Sequence, residues 1–295
     1  MLSLSKHEHA IVTADGVTLR YDVLRQAQDD RGAQDDRTKG TVLFFHGGGQ
    51  TRHAWTTTAN AVAAAGYDAW TVDLRGHGDS GRAPTGAYAL GDFVEDVAAV
   101  VAAAPAHAIL VGASLGGGAA LGCCATRDVD VAGLVLVDVG MRLQNAGIER
   151  IIGFMREHTD GFATLEDAAA AIAAYAPRAG KTIRPEGLKK NLRRDDEGRY
   201  RWHWDPALLD AFDIVNDMMR NERVSGALQT IAAKHIPFAV IRGGSSDVLD
   251  DDAAAETARL GNGRVISVAH ASHMVAGDAN DAFSGALLEA ISGFR

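Results

Sequence analysis

Cysteine is nearly absent from this chain: two among 295 residues, Cys123 and Cys124, side by side. Neighbouring cysteines are poorly placed to bridge and no CxxC spacing exists for zinc, so neither a disulfide scaffold nor a zinc site is expected. They read as small residues packed on a helix of a reduced, intracellular protein. Proline is scarce too, at 6 residues, so the 33 glycines are informative by position and do not mark a linker. Positive charge is in deficit: 29 Lys+Arg against 38 Asp+Glu give a net charge of −9. That balance counts against a nucleic-acid or anionic-membrane partner, which calls for a basic stripe. No run of about 20 apolar residues could span a bilayer. The stretch Met1–His9 lacks the apolar segment of a secretory signal, so the expected location is cytoplasmic.

What is present is ordinary core material, 47% hydrophobic and 23% charged residues, enough to bury a large interior. The length suits two domains, or one α/β domain carrying an insertion. Two strands are predicted near His9–Thr13 and Val17–Leu24, joined at Asp15-Gly16, a two-residue hairpin signal. A near-duplicate hexapeptide follows, Gln26–Arg31 and Gly32–Arg37, with no apolar residue larger than alanine. A docking segment is one reading of it. A solvated loop is favoured, because such a segment buries too little to offset its ordering entropy.

Beyond this loop come short continuous apolar runs: Thr41–Phe45, Ala69–Val72, Ala108–Val111, Gly133–Val137, Pro237–Ile241 and Val265–Val268. Strands covered on both faces look like this. Alanine-rich helical stretches alternate with them at His53–Ala65, Leu90–Ala104, Leu115–Arg127 and Asn280–Ile291. The expected fold class is therefore α/β, a doubly wound, mostly parallel sheet, with ligands beyond the carboxyl ends of its strands. Residues 141–234 break the rhythm, with helical patterns at Phe162–Tyr175, Pro206–Arg220 and Ser225–Ala233. They are expected to form a helical cap inserted between core segments 1–140 and 235–295.

Three strand ends carry chemistry. Gly112-Ala113-Ser114-Leu115-Gly116 stands directly after one apolar run and before a helix. A nucleophilic serine needs that sharp strand-to-helix turn, with small residues two before and two after it. The competing reading is a strand terminator with Ser114 as helix cap. His46-Gly47-Gly48-Gly49-Gln50 ends the run Thr41–Phe45. There the Gly48 N–H, with that of Leu115, would form an oxyanion hole. A phosphate loop is the rival, but neither Gly-Lys-Ser/Thr nor GxGxxG spacing follows. The third is Asp73-Leu74-Arg75-Gly76-His77-Gly78-Asp79-Ser80.

These three motifs, in this order, resemble the α/β-hydrolase superfamily, in its cap-bearing serine esterase and haloperoxidase-like branches. The resemblance covers about Val17 to Phe294, apart from the repeat loop and most of the cap. It implies a catalytic triad in the order nucleophile, acid, histidine, which makes His77 structural. Of the 11 histidines, the one at the family's position is His273, with His270 its near competitor. The acid implied is Asp247, in the glycine-rich loop after Pro237–Ile241, with Asp138 its rival from the earlier strand. Asp250, Asp251 and Asp252 read as a solvated run that starts the next helix.

With those roles, Ser114 attacks an acyl carbonyl, His273 removes its proton and Asp247 holds the imidazolium. The reaction needs no metal and no organic cofactor, and the partner expected is a small ester-like molecule. In the cap, Trp202 and Trp204 either line the substrate pocket or anchor the cap. Met218 and Met219 read as cap core. Hydrolysis of a small carboxylic ester or lactone is the leading expectation. The alternatives are C–C bond hydrolysis of a dienoate or perhydrolysis with the same triad, a cofactor-independent dioxygenase, and a ligand sensor on a hydrolase fold. A pocket arginine would favour the dienoate, and Arg75, Arg178 and Arg242 are the candidates. Serine at the elbow disfavours the epoxide hydrolase and haloalkane dehalogenase branches, which use aspartate.

Overall fold

The computed structural model describes residues 4–26, 38–105, 107–175, 183–211, 221–273 and 280–294. Most of the repeated hexapeptides, Arg178, and Met218 and Met219 with the end of the helix expected at Pro206–Arg220 lie outside the described residues.

Ten strands are described: β1 (Leu4–Val12), β2 (Thr18–Gln26), β3 (Thr41–Phe45), β4 (Asp68–Val72), β5 (Ala108–Ala113), β6 (Val131–Val137), β7 (Leu192–Arg194), β8 (Tyr200–Trp202), β9 (Phe238–Gly243) and β10 (Arg264–Val268). Eight of them form one sheet in the order β1-β2-β4-β3-β5-β6-β9-β10. β1 and β2 make the hairpin expected at Asp15-Gly16, and β2 meets β4 antiparallel. From β4 to β10 all pairs are parallel.

The apolar runs are continuous because each central strand feeds two cores. Leu43, Phe45, Leu110, Leu134 and Leu136 face one side, and Val42, Phe44, Val111, Val135 and Val137 the other, the period of two that a pleated strand imposes. The first side is covered by α2 (Leu90–Ala103), α3 (Ser114–Thr126), α6 (Glu222–Ala233) and α7 (Asp251–Leu260). The second is covered by α1 (Thr56–Ala64), with Trp55 just before it, and α8 (Asn280–Ser292), through Trp55, Val62, Phe283 and Leu287. Each such aliphatic or aromatic side chain withdrawn from water contributes about 1.5–3 kcal/mol. Cys123 and Cys124 sit fully buried in α3, and burial pushes the Cys123 thiol up to about 12.

Between β6 and β9 the chain leaves the sheet. It forms α4 (Asn145–Glu157), α5 (Leu165–Tyr175), a 3-10 turn (Pro185–Lys190) and the hairpin β7–β8 before returning as α6. The hairpin was not expected from the sequence. Its small core is Phe162, Leu165, Ala168 and Leu192. α6 packs on α3, with Lys234 Nζ donating to the carbonyls of Cys124 (2.8 Å) and Arg127 (3.0 Å), so by its contacts it belongs to the layer over the sheet. Among the described residues no helix is long and apolar enough to cross a membrane.

Candidate active site

Ser114 is the first residue of α3, with φ of +45°. That left-handed conformation is costly for a residue with a side chain. It is held because the turn is clamped on both sides. A Cβ on Gly116 would lie 2.5 Å from the Phe45 carbonyl oxygen, and one on Gly112 2.5 Å from that of Gly116. Only glycine allows α3 to start this close to β3 and β5, and the strand–turn–helix context expected of the elbow is present.

The strand next to β5 is β6, and the register pairs Ala113 with Val137. The following residues, Ser114 and Asp138, therefore emerge level with each other at the carboxyl edge. Asp138 also has a positive φ, +49°, and is fully buried. Its carboxylate accepts hydrogen bonds from Gly243 N–H (2.9 Å), Ser246 Oγ (2.5 Å) and His273 Nδ1 (2.7 Å). A donor on Nδ1 fixes the tautomer and leaves His273 Nε2 as the lone-pair nitrogen.

Asp247, the acid expected from the resemblance, does not reach His273. Its exposed carboxylate pairs with Arg150 on α4, at 2.5 Å to Nη2 and 3.1 Å to Nε. The loop after β9 places Ser246 inward and the next residue outward, so the carboxylate of Asp247 faces the segment beyond β6 and the hydroxyl of Ser246 faces the histidine's partner. The structure pairs His273 with Asp138, the rival from the earlier strand. His270 is exposed, with φ of +60°.

The glycine loop after β3 is held by two buried histidines. His46 Nε2 accepts Leu74 N–H (3.0 Å), and its Nδ1–H donates to Gly47 O (2.8 Å). His77 Nε2 accepts Gly49 N–H (3.0 Å), and its Nδ1–H donates to Arg75 O (3.0 Å). Burial pushes His46 down to about 4; burial and then the neighbouring His46 push His77 down to about 3. Both are therefore neutral, and His77 acts as a brace for the loop. Gly47 N–H is taken by Gln50 Oε1 (3.0 Å). Gly48 and Leu115 donate their N–H groups to no other described residue. The loop abuts the serine: a Cβ on Gly47 would lie 3.4 Å from Ser114 Cβ.

Trp204 and Met155 stand against the loop. A Cβ on Gly49 would lie 2.8 Å from Met155 Cε and 3.9 Å from Trp204 Nε1. Trp204 is buried in the main core and bridges His77, while His203 O accepts Gly78 N–H (2.7 Å). Trp202 packs edge-on against Phe154 and Phe162 and so anchors the small core beside the hairpin. Two of the three arginine candidates are committed elsewhere: Arg75 to Asp96 and Asp15, Arg242 to Asp251 and the Leu249 carbonyl. Met155 and Ser246 were missed from the sequence. Neither sits in a motif, and only the chain path between strands brings them here.

The alpha/beta hydrolase fold family profile matches residues 40–279. The chain is 32% identical over 228 residues to the esterase Rv0045c of Mycobacterium tuberculosis, covering 74% of this chain and 70% of that one. It is 33% identical over 123 residues to a monoacylglycerol lipase of Mycolicibacterium smegmatis, covering 40% of this chain and 41% of that one. A crystal structure of the M. tuberculosis esterase Rv0045c superimposes with a TM-score of 0.69 at 25% identity, over 97% of this chain and 92% of that one. E-2-(acetamidomethylene)succinate hydrolase shares the fold, with a TM-score of 0.79 at 20% identity over 98% and 100% of the two chains.

Proposed function

The chain belongs to the alpha/beta hydrolase fold family, and from that premise we propose that it is a serine esterase in which Ser114, His273 and Asp138 form the triad. It is a hydrolase, and its relatives place it among ester hydrolases. One observation carries the finer reading: the 2.7 Å contact of His273 Nδ1 with a buried Asp138 that emerges level with the strained Ser114 turn.

Ser114 Oγ attacks the ester carbonyl as His273 Nε2 takes its proton, and Asp138 stabilises the resulting imidazolium. The tetrahedral oxyanion accepts the N–H groups of Gly48 and Leu115, which donate to no other described residue. Collapse expels the alcohol with a proton from His273 and leaves an acyl-enzyme on Ser114. A water deprotonated by His273 then releases the acid. Residues from α4 to β8 act as the cap, and Met155 and Trp204 border the oxyanion loop from its side. The substrate class is a small carboxylic ester or lactone.

The test is steady-state hydrolysis of p-nitrophenyl esters from acetate to octanoate, by the wild type and by Ser114→Ala. The expected result is turnover of the short esters and loss of nearly all of it in the variant. Full activity of Ser114→Ala would remove the nucleophile from this scheme.

A further inference from the structure

We infer that Ser246 is a positioning residue for Asp138, an assignment that rests on the triad proposed above. Its hydroxyl is 2.5 Å from Asp138 Oδ2, the same oxygen that receives His273 Nδ1. The orientation of that hydroxyl is set from the other side. Val248 N–H (3.1 Å) and Leu249 N–H (3.3 Å) both point at Ser246 Oγ. A hydroxyl has one proton and two lone pairs. With both lone pairs engaged by backbone donors, the proton is directed at the carboxylate. The two N–H donors polarise the hydroxyl, which strengthens its own bond to Asp138.

The geometry gives this bond two effects. It fixes the carboxylate plane, together with Gly243 N–H on the other oxygen, so Oδ2 stays aligned with the imidazole. It also spreads the negative charge over three donors, which tempers the pull of Asp138 on the imidazolium proton. Without the Ser246 bond the charge is less shared, and Asp138 holds the imidazolium more tightly. The next residue, Asp247, anchors the same loop to α4 through Arg150, so the hydroxyl rides on a loop tethered at both sides.

The experiment compares Ser246→Ala and Ser246→Thr with the wild type in p-nitrophenyl acetate hydrolysis across pH, with melting temperatures alongside. The alanine variant is expected to lose about tenfold in kcat at unchanged KM, while the acid limb of kcat/KM moves up by about half a pH unit. Threonine keeps the hydroxyl and is expected to restore both. A wild-type kcat and limb in Ser246→Ala overturns the assignment. So does a fall in kcat that tracks a lowered melting temperature with the limb unmoved, which marks a merely structural serine. Should the alanine variant not fold, Ser246→Cys, a weak donor of similar volume, is read by the same criteria. If Ser114→Ala keeps its activity, the triad itself fails, and that outcome is separate from any result at Ser246.

Discussion

Asp138 and Asp247 separate two meanings of a carboxylate in the same region. Asp138 is buried and bound by three donors, one of them His273. Asp247 is exposed and paired with an exposed Arg150. An exposed pair of this kind contributes about 0–1 kcal/mol. Asp138→Asn keeps the shape and loses the charge that holds the imidazolium, so kcat for ester hydrolysis is expected to fall by about 10³–10⁴. Asp247→Asn is expected to stay within a few-fold of the wild type. Steady-state kinetics on both variants decides it, and the reverse pattern would return the acid to Asp247. Sequence could not make this choice. A glycine-rich loop has no period from which to read which of Ser246 and Asp247 faces inward, whereas Ser114 announced itself through the strand before it and the helix after it. Asp138, directly behind an apolar run, carried a signal only through its strand's place beside β5, and strand order is not written in any local pattern.

At the scale of elements, the loop between β3 and the 3-10 turn Arg52–Trp55 is braced by neutral imidazoles. Each of them accepts a backbone N–H, a role closed to the protonated ring. On unfolding, His46 and His77 return to ordinary values near 6.5 from folded values of about 4 and about 3. Below pH 6.5 the unfolded chain therefore binds more protons than the folded one. Their contribution to stability is complete above pH 6.5 and is lost as the pH falls toward 4 for His46 and 3 for His77, by up to about 3 kcal/mol for the first and about 5 kcal/mol for the second. Urea unfolding midpoints are expected to decline from pH 7 to pH 4.5. His77→Gln, which removes one of the two titrations, should make that decline shallower. Equal slopes in the two proteins would show that His77 carries none of it. The strands of the sheet were legible because a run buried on both faces is apolar throughout. The hairpin β7–β8 was not, since Arg193, Arg194 and Arg201 are charged and its inward positions alternate over only three residues a side.

Over the whole molecule, α4 links the two halves of the site. Near its start, Gly147 packs against the Asp247 carbonyl, where a Cβ would lie 2.4 Å away, and Arg150 grips the Asp247 side chain. Near its end, Met155 lies on Gly49. The hairpin adds a second attachment through Asp205, which accepts the Tyr88 hydroxyl (2.8 Å) and donates its N–H to Gly76 O (2.7 Å). Arg150→Ala cuts the first attachment at an exposed pair, so stability should change by less than about 1 kcal/mol. KM for the longer p-nitrophenyl esters is expected to change more than kcat, as the wall formed by α4 loosens. A uniform effect across chain lengths would show that α4 does not border the acyl site.

The pair of cysteines in α3 turns the scarcity of thiols into a clock. Both lie beneath the helical layer, shut from solvent, and the Cys123 thiol ionises only near 12. A thiol reagent at neutral pH therefore finds almost no thiolate in the closed molecule. Labelling must wait until α2 or α6 lifts from α3, and its rate counts those openings without any engineered probe. Because Ser114 heads the same helix, the stopwatch runs on the element that carries the nucleophile.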